Sequence, residues 1–322
     1  MSARTPDRAP GKSMTTRILG WTAGLAVLGI AGLAAWLYAP DKSRAELEAT
    51  YAGDYRTVEG VRVRFRDTGP RDAPAILLLH GFGASLESWE PWAKALSGEY
   101  RVIRLDLPGF GMTGADPSGD YTDARSIRIL TGLMDQLSVR SANVIGNSLG
   151  GRIAWTLAAE HPGRVNRLVL ISPDGFASPG FEYGKAPDTP VVMRALPYAA
   201  PRSMLKANLA AAYANPERLS EENVALYHDM MLAPGVRQAI LDRLDQTILR
   251  NPEPVLAGIT TPTLLLWGVE DGMIPISNAV DYLDHMPNAR LVRLPGLGHV
   301  PFEEDPAGSL PPVRQFLAET TP

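Results

Sequence analysis

The chain contains no cysteine. Disulfides, thiolate metal sites and cysteine nucleophiles are excluded at once. Histidine is scarce, limited to His80, His161, His228, His285 and His299. None of them is spaced as HExxH, so a zinc hydrolase of that kind has no support. The net charge is −4 and no long basic run occurs, which argues against nucleic acid as a partner. What is present is a 322-residue chain, 45% hydrophobic and 20% charged, long enough to bury a large core.

Long uncharged runs are also missing, with one exception. Ile18 to Tyr38 carries no charge, and a bilayer needs roughly 20 apolar residues as helix. Arg4, Arg8, Lys12 and Arg17 precede it against one acid, Asp7. The expectation is a basic tail over 1–17 and a transmembrane anchor over 18–39. The positive-inside tendency keeps the tail in the cytoplasm and places the rest outside, in the periplasm. Trp36 and Tyr38 suit the far interface. The rival readings are a signal peptide cut near Gly32–Ala34 and a buried helix.

Residues 40–54 read as a short polar helix or linker, and the globular domain as 55–322. "TVEGVRVRFRDTG" alternates about Glu59-Gly60 and predicts a hairpin. Short apolar runs follow at Ala75–His80, Arg101–Leu107, Asn143–Gly146, Arg167–Ser172, Thr263–Trp267 and Ala289–Leu294. Such runs fit strands buried on both faces of a parallel sheet. Between them lie helical patterns, one capped by Thr122. The alternation predicts an α/β fold with helices on both faces of a mostly parallel sheet. From about 177 to 257 it breaks into Pro-punctuated helical segments. One crossover needs only one helix, so the interval is expected to be a cap over a site. Val191, Val192, Met193, Leu196, Met204, Leu205, Met230, Met231 and Leu232 are its candidates for an apolar pocket, though many must pack cap onto core.

Gly146-Asn147-Ser148-Leu149-Gly150 is a G-x-S-x-G placed between a buried run and a helix. Gly146 and Gly150 leave room for a sharp turn that lifts the serine hydroxyl out of the sheet. A serine needs a base. His299 follows the last run and is the candidate, while His161, His228 and His285 read as structural. The imidazole needs an acid, and Asp271 in "GVEDGMIP" follows a strand end. Glu270 and Asp174 are its rivals, and Asp106 reads as a loop-fixing residue. The oxyanion donors are expected to be the amides of Leu149 and of Phe82, on a loop bent by Gly81 and Gly83. His80 is expected to hold that loop.

With "HGFG", "DLPGFGMT", "GNSLGG", "GVEDGMIP" and "GHVPFEEDP" in this order, the chain resembles the α/β-hydrolase superfamily from about Tyr55 onward. The resemblance implies an eight-stranded, mostly parallel sheet, a helical cap between strands six and seven, and catalytic Ser148, Asp271 and His299 without metal or cofactor. Ser148 stands where dehalogenases and epoxide hydrolases of the superfamily carry aspartate. "GNSLGG" is also similar to the elbow of meta-cleavage-product C–C hydrolases. The chain departs from these in "HGFGAS", and in Val300 where they tend to carry tryptophan. The expected activity is hydrolysis of a small-molecule carboxylic ester with an apolar part. The alternatives are C–C hydrolysis, lipid hydrolysis or perhydrolysis on the same triad, and a non-enzymatic binding protein that keeps the fold.

Overall fold

A computed structural model describes residues 37–319 continuously and scattered positions between 14 and 35. The expected tail, Met14 apart, and ten of the 22 positions of the expected span over 18–39 lie outside the described residues. No helix among the described residues is long and apolar enough to cross a membrane.

The sheet has eight strands: β1 (Asp54–Val58), β2 (Val61–Thr68), β3 (Ala75–Leu79), β4 (Arg101–Leu105), β5 (Ala142–Asn147), β6 (Val165–Ile171), β7 (Thr263–Gly268) and β8 (Ala289–Leu294). Their spatial order is β1-β2-β4-β3-β5-β6-β7-β8. β1 and β2 pair antiparallel, as do β2 and β4, and every later pairing is parallel. Glu59 and Gly60 close the hairpin with φ of 51° and 82°. A two-residue turn needs such values to match the twist of its strands.

Successive strand residues feed two cores. Val144, Leu265 and Trp267 pack on one face, and Ile145, Leu264 and Leu266 on the other. Each such side chain contributes about 1.5–3 kcal/mol when fully buried. β8 departs from the expected double burial. It pairs only with β7, and Arg290 and Arg293 are exposed. Charged side chains on an edge strand discourage further strand addition.

The helices before the cap are α1 (Arg44–Thr50), α2 (Glu90–Leu96), α3 (Asp123–Gln136) and α4 (Leu149–Glu160). The Thr122 hydroxyl accepts from the Arg125 amide at 3.2 Å and so starts α3. Between β6 and β7 the regular elements are helical: α5 (Arg202–Ala210), α6 (Glu221–Met231), α7 (Val236–Gln246) and α8 (Glu253–Leu256), with two short 3-10 turns. After β7 come α9 (Asn278–His285), α10 (Pro301–Glu304), α11 (Pro306–Ser309) and α12 (Pro311–Ala318). α12 begins on its two prolines, where no intrahelical donor is needed.

The cap is fastened from two sides. From below, Arg243 of α7 donates to the Pro108 carbonyl at 3.1 Å, and its guanidinium lies over the rings of Phe110 and Tyr121. From the N-terminal side, Tyr38 and Ala39, expected as the end of the span, and the residues expected as a linker run along it. The Ala39 amide donates to Tyr198 O at 3.0 Å and the Lys42 amide to Leu232 O at 2.8 Å. Asp41 accepts from Arg237 at 2.7 Å, and Asp229 from the Tyr51 hydroxyl at 3.0 Å. Leu47 of α1 is buried in the main core.

Candidate active site

The carboxyl ends of β3, β5, β6, β7 and β8 meet along one edge of the sheet, where open α/β sheets place their ligands. Ser148 stands at the end of β5 with φ 53° and ψ −119°, a conformation L-residues rarely adopt. The backbone around it holds that turn. The Ser148 amide donates to Ile171 O at 3.0 Å, and its carbonyl accepts from the Arg152 and Asp174 amides, each at 3.0 Å. The glycines answer to space rather than to dihedral freedom. A β-carbon on Gly146 would lie 2.2 Å from Gly150 O, and one on Gly150 2.2 Å from Leu79 O.

His299 lies between β8 and α10, and Asp271 just beyond β7. Both are buried. The His299 Nδ1 and the Asp271 Oδ2 are 2.8 Å apart. An ionised carboxylate only accepts, so Nδ1 carries the proton and Nε2 is left as the acceptor. Asp271 also accepts from the Met273 and Ile274 amides at 2.8 and 2.9 Å. Burial pushes the Asp271 carboxyl up, but the charge and hydrogen bond of His299 and the Ile274 amide more than offset it, and the carboxyl sits below its ordinary range.

The rival acids are engaged elsewhere. Glu270 accepts from the Gly296 amide at 2.7 Å. Asp174 is 3.1 Å from Nη1 of Arg152, and burial pushes its carboxyl up against the pull of that guanidinium. Asp106 accepts from the Leu86 and Met112 amides, each at 2.8 Å, and pairs with Arg64. It fixes loops and lies away from His299.

His80 is fully buried. Its Nδ1 is 2.8 Å from Gly81 O, and its Nε2 accepts from the Leu107 amide at 2.9 Å. Burial holds its pKa down, so it stays neutral and stitches the two loops together. The remaining histidines make local bonds. His228 Nε2 meets Ala200 O at 3.0 Å, His285 Nδ1 meets Asp281 O at 2.7 Å, and His161 ends α4.

Phe82, Ser148, Leu149 and His299 line one cavity of about 440 Å³ under the cap. Among the described residues, neither the Phe82 nor the Leu149 amide donates to another backbone group. Gly81 lies against the elbow, where a β-carbon would be 2.9 Å from Asn147 Oδ1. Gly83 takes φ 71° with open space beside it. A second cleft, near His161 and Arg164, lies at the far end of α4, about 18 Å away by helix rise.

The cap's share of the wall differs from the expected set. The Val192 side chain lies outside the described residues; of the other eight named from the sequence, only Met193 lines the cavity, joined by Phe181, Pro187, Pro190, Leu244 and Thr247. Val191 and Met204 face outward, Leu205 packs in a small satellite cluster, and Met230 belongs to the main core. Asn147 was not singled out from the sequence, yet its side-chain amide donates to both Ile171 O and His299 O, at 3.1 and 3.0 Å. That bond joins the elbow to the histidine loop. Its only sequence signal is its place inside the G-x-S-x-G.

The cavity's electrostatics are also specific. Arg152 is the one cation among the described residues lining it. Asp123 and Asp174 each approach that guanidinium at 3.1 Å.

The sequence model of the alpha/beta hydrolase fold matches residues 74–306. Among curated proteins, a 2-hydroxymuconate semialdehyde hydrolase of Pseudomonas sp. (strain CF600) is 29% identical and covers 81% of this chain and 92% of its own. Among solved structures, a bacterial membrane phospholipase A is 27% identical, with a TM-score of 0.72 over 94% of this chain and 98% of its own. An enol-lactonase from Burkholderia xenovorans is also 27% identical, with a TM-score of 0.71 over 83% of this chain and 100% of its own. With the sheet, the elbow and the family match in agreement, the chain belongs to the α/β-hydrolase fold family.

Proposed function

We propose that the chain is a serine hydrolase of carboxylic esters with an apolar acyl or alcohol part. The observation that carries this reading is His299, held by Asp271 at 2.8 Å, in the same cavity wall as Ser148 on its strained turn. In the proposed reaction His299 Nε2 takes the Ser148 proton as Oγ attacks the acyl carbon. The Leu149 and Phe82 amides receive the charge that develops on the carbonyl oxygen. The imidazolium, stabilised by Asp271, returns its proton to the leaving alkoxide, and the acyl–serine ester remains. Water then repeats the sequence: His299 takes its proton, hydroxide attacks the acyl carbon, and the proton goes back to Ser148 as the acid departs.

The wall favours an ester over a meta-cleavage product. A 2-hydroxy-6-oxo-dienoate brings a carboxylate, and a buried carboxylate needs a counter-charge. The Arg152 guanidinium is already shared by Asp123 and Asp174, so the lining holds no unpaired arginine or lysine among the described residues. Phe82, Leu149, Phe181 and Met193 offer an apolar surface for a neutral chain. C–C hydrolysis stands as the second reading because relatives are named as hydrolases of 2-hydroxymuconate semialdehyde and of 2-hydroxy-6-oxononadienedioate. The two separate on p-nitrophenyl esters of graded chain length set beside a 2-hydroxy-6-oxo-dienoate. Medium-chain esters are expected to exceed the dienoate in kcat/KM by about 100-fold or more. The opposite order would replace the ester reading.

We also propose that residues 18–39 anchor the chain in a membrane, with the hydrolase domain on the extracytoplasmic side. Uninterrupted apolar sequence and the basic residues before it support this, as does similarity over nearly the whole chain to a membrane phospholipase A. A phospholipid or lysophospholipid ester is then a natural substrate class. Full-length protein is expected to stay in the membrane fraction through a high-salt wash, and a 40–322 version to leave it. Protease added to intact spheroplasts is expected to digest the hydrolase domain. A full-length protein that washes into the soluble fraction would end the anchor proposal.

A further inference from the structure

We propose that Glu304 is a positioning residue for His299, and that it acts by clamping the cap to the histidine loop. The inference rests on the reading of His299 as the general base.

The main chain of His299 is gripped on both sides. Its amide donates to Ala212 O, in the cap turn between α5 and α6, at 2.7 Å. Its carbonyl accepts from Asn147 of the elbow at 3.0 Å. The cap turn therefore touches the backbone of the base directly. Gly298 shows how closely the two chains run: a β-carbon there would lie 2.5 Å from Ala212 O and 2.6 Å from the Ala214 nitrogen.

Glu304 is buried at the end of α10 and joins both chains at once. Its Oε2 accepts from the Gly298 amide at 2.8 Å, next to His299, and from the Ala214 amide of the cap at 3.1 Å. Its Oε1 accepts from the Asn215 amide of the cap at 2.8 Å. The two cap donors stand 90 and 89 residues from Glu304, the Gly298 donor only 6. One buried amide, that of Gly298, and two partly buried ones of the cap share this single carboxylate as acceptor. The adjacent Glu303 reinforces the same seam by accepting from the Tyr213 hydroxyl at 2.9 Å and the Tyr227 hydroxyl at 2.6 Å.

Only a carboxylate has acceptors at both positions. Glutamine would keep the shape, but its NH2 would face Asn215 N–H in one orientation, or Gly298 and Ala214 N–H in the other. The seam would part on one side and the imidazole would shift relative to Ser148. A displacement of ~1 Å at a reacting group costs about 100-fold. The cap would then act on the base as well as over the substrate.

The test uses the full-length protein and a p-nitrophenyl ester. Glu304→Gln is expected to lower kcat about tenfold or more while KM stays within about twofold, with a parallel fall in the rate of fluorophosphonate labelling. A purely structural role would lower the melting temperature and leave kcat of the folded fraction unchanged, and that result would overturn the proposal. Should Glu304→Gln fail to fold, Glu304→Asp keeps the charge, shortens the reach and is expected to show the same split. Wild-type kcat in Glu304→Asp would likewise overturn it. His299→Ala runs in parallel. If it retains activity, the assignment of the base fails; if it loses activity while Glu304→Gln does not, only the positioning role fails.

Discussion

Ser148→Ala is expected to lower kcat by about 10⁶-fold and to abolish covalent labelling by a fluorophosphonate. The size of the effect follows from the chemistry. Without Oγ no acyl–enzyme forms, and what remains is binding and the oxyanion donors, worth about 10³–10⁴ over water. The fold should be unaffected, because the strained turn is held by main-chain bonds to Ile171, Arg152 and Asp174, and the two flanking glycines remain in place. Measurement of kcat, labelling and melting temperature on one preparation checks all three. A folded wild-type protein that resists the probe, or a Ser148→Ala variant that keeps its turnover, would sink the serine-hydrolase reading.

The second large effect is on the acid. Asp271→Asn is expected to lower kcat by about 10⁴-fold, because an amide in that place no longer favours the proton on Nδ1 or stabilises the imidazolium. Asp174→Asn supplies the contrast. Asp174 faces Arg152 across 3.1 Å, and Asp123 remains as a second partner for that guanidinium. Its replacement is expected to shift KM and leave kcat within about tenfold, since it removes a wall charge and no interaction made only in the transition state. Both variants are read from full saturation curves on one ester. If Asp174→Asn proves the more damaging to kcat, the acid has been assigned to the wrong loop.

Much of the sheet was legible because its signal is local. A run such as "AILLL" has no polar face, and in a parallel sheet no face meets water. The elbow was legible for a similar reason, since small residues on both sides of Ser148 are required by contacts to Gly150 and Leu79 backbone. β8 misled because "ARLVRL" has the apolar content of an inner strand, and its place at the edge depends on the order of strands. The cap was recognisable as a helical interval, but its wall was not. Val191 and Met193 lie in one short turn; one faces outward and the other lines the cavity. Which one does so depends on the direction of a turn set by prolines and distant contacts. Asn147 and Glu304 were invisible as partners of the histidine loop for the same reason. They sit inside recognisable motifs, but the bonds from Asn147 to His299 and from Glu304 to Asn215 cross 152 and 89 residues.

The fastening of residues 39–42 to the cap has a mechanical side. The Ala39 amide is bonded to Tyr198 O, so the described chain enters the domain through the cap. Force applied along the N-terminal segment meets Tyr198, Leu232 and Arg237 of the cap before it meets α1 and the sheet. The same cap turns back at Ala212 to hold the His299 amide. A tug at the N-terminus and the alignment of the imidazole therefore both bear on the cap.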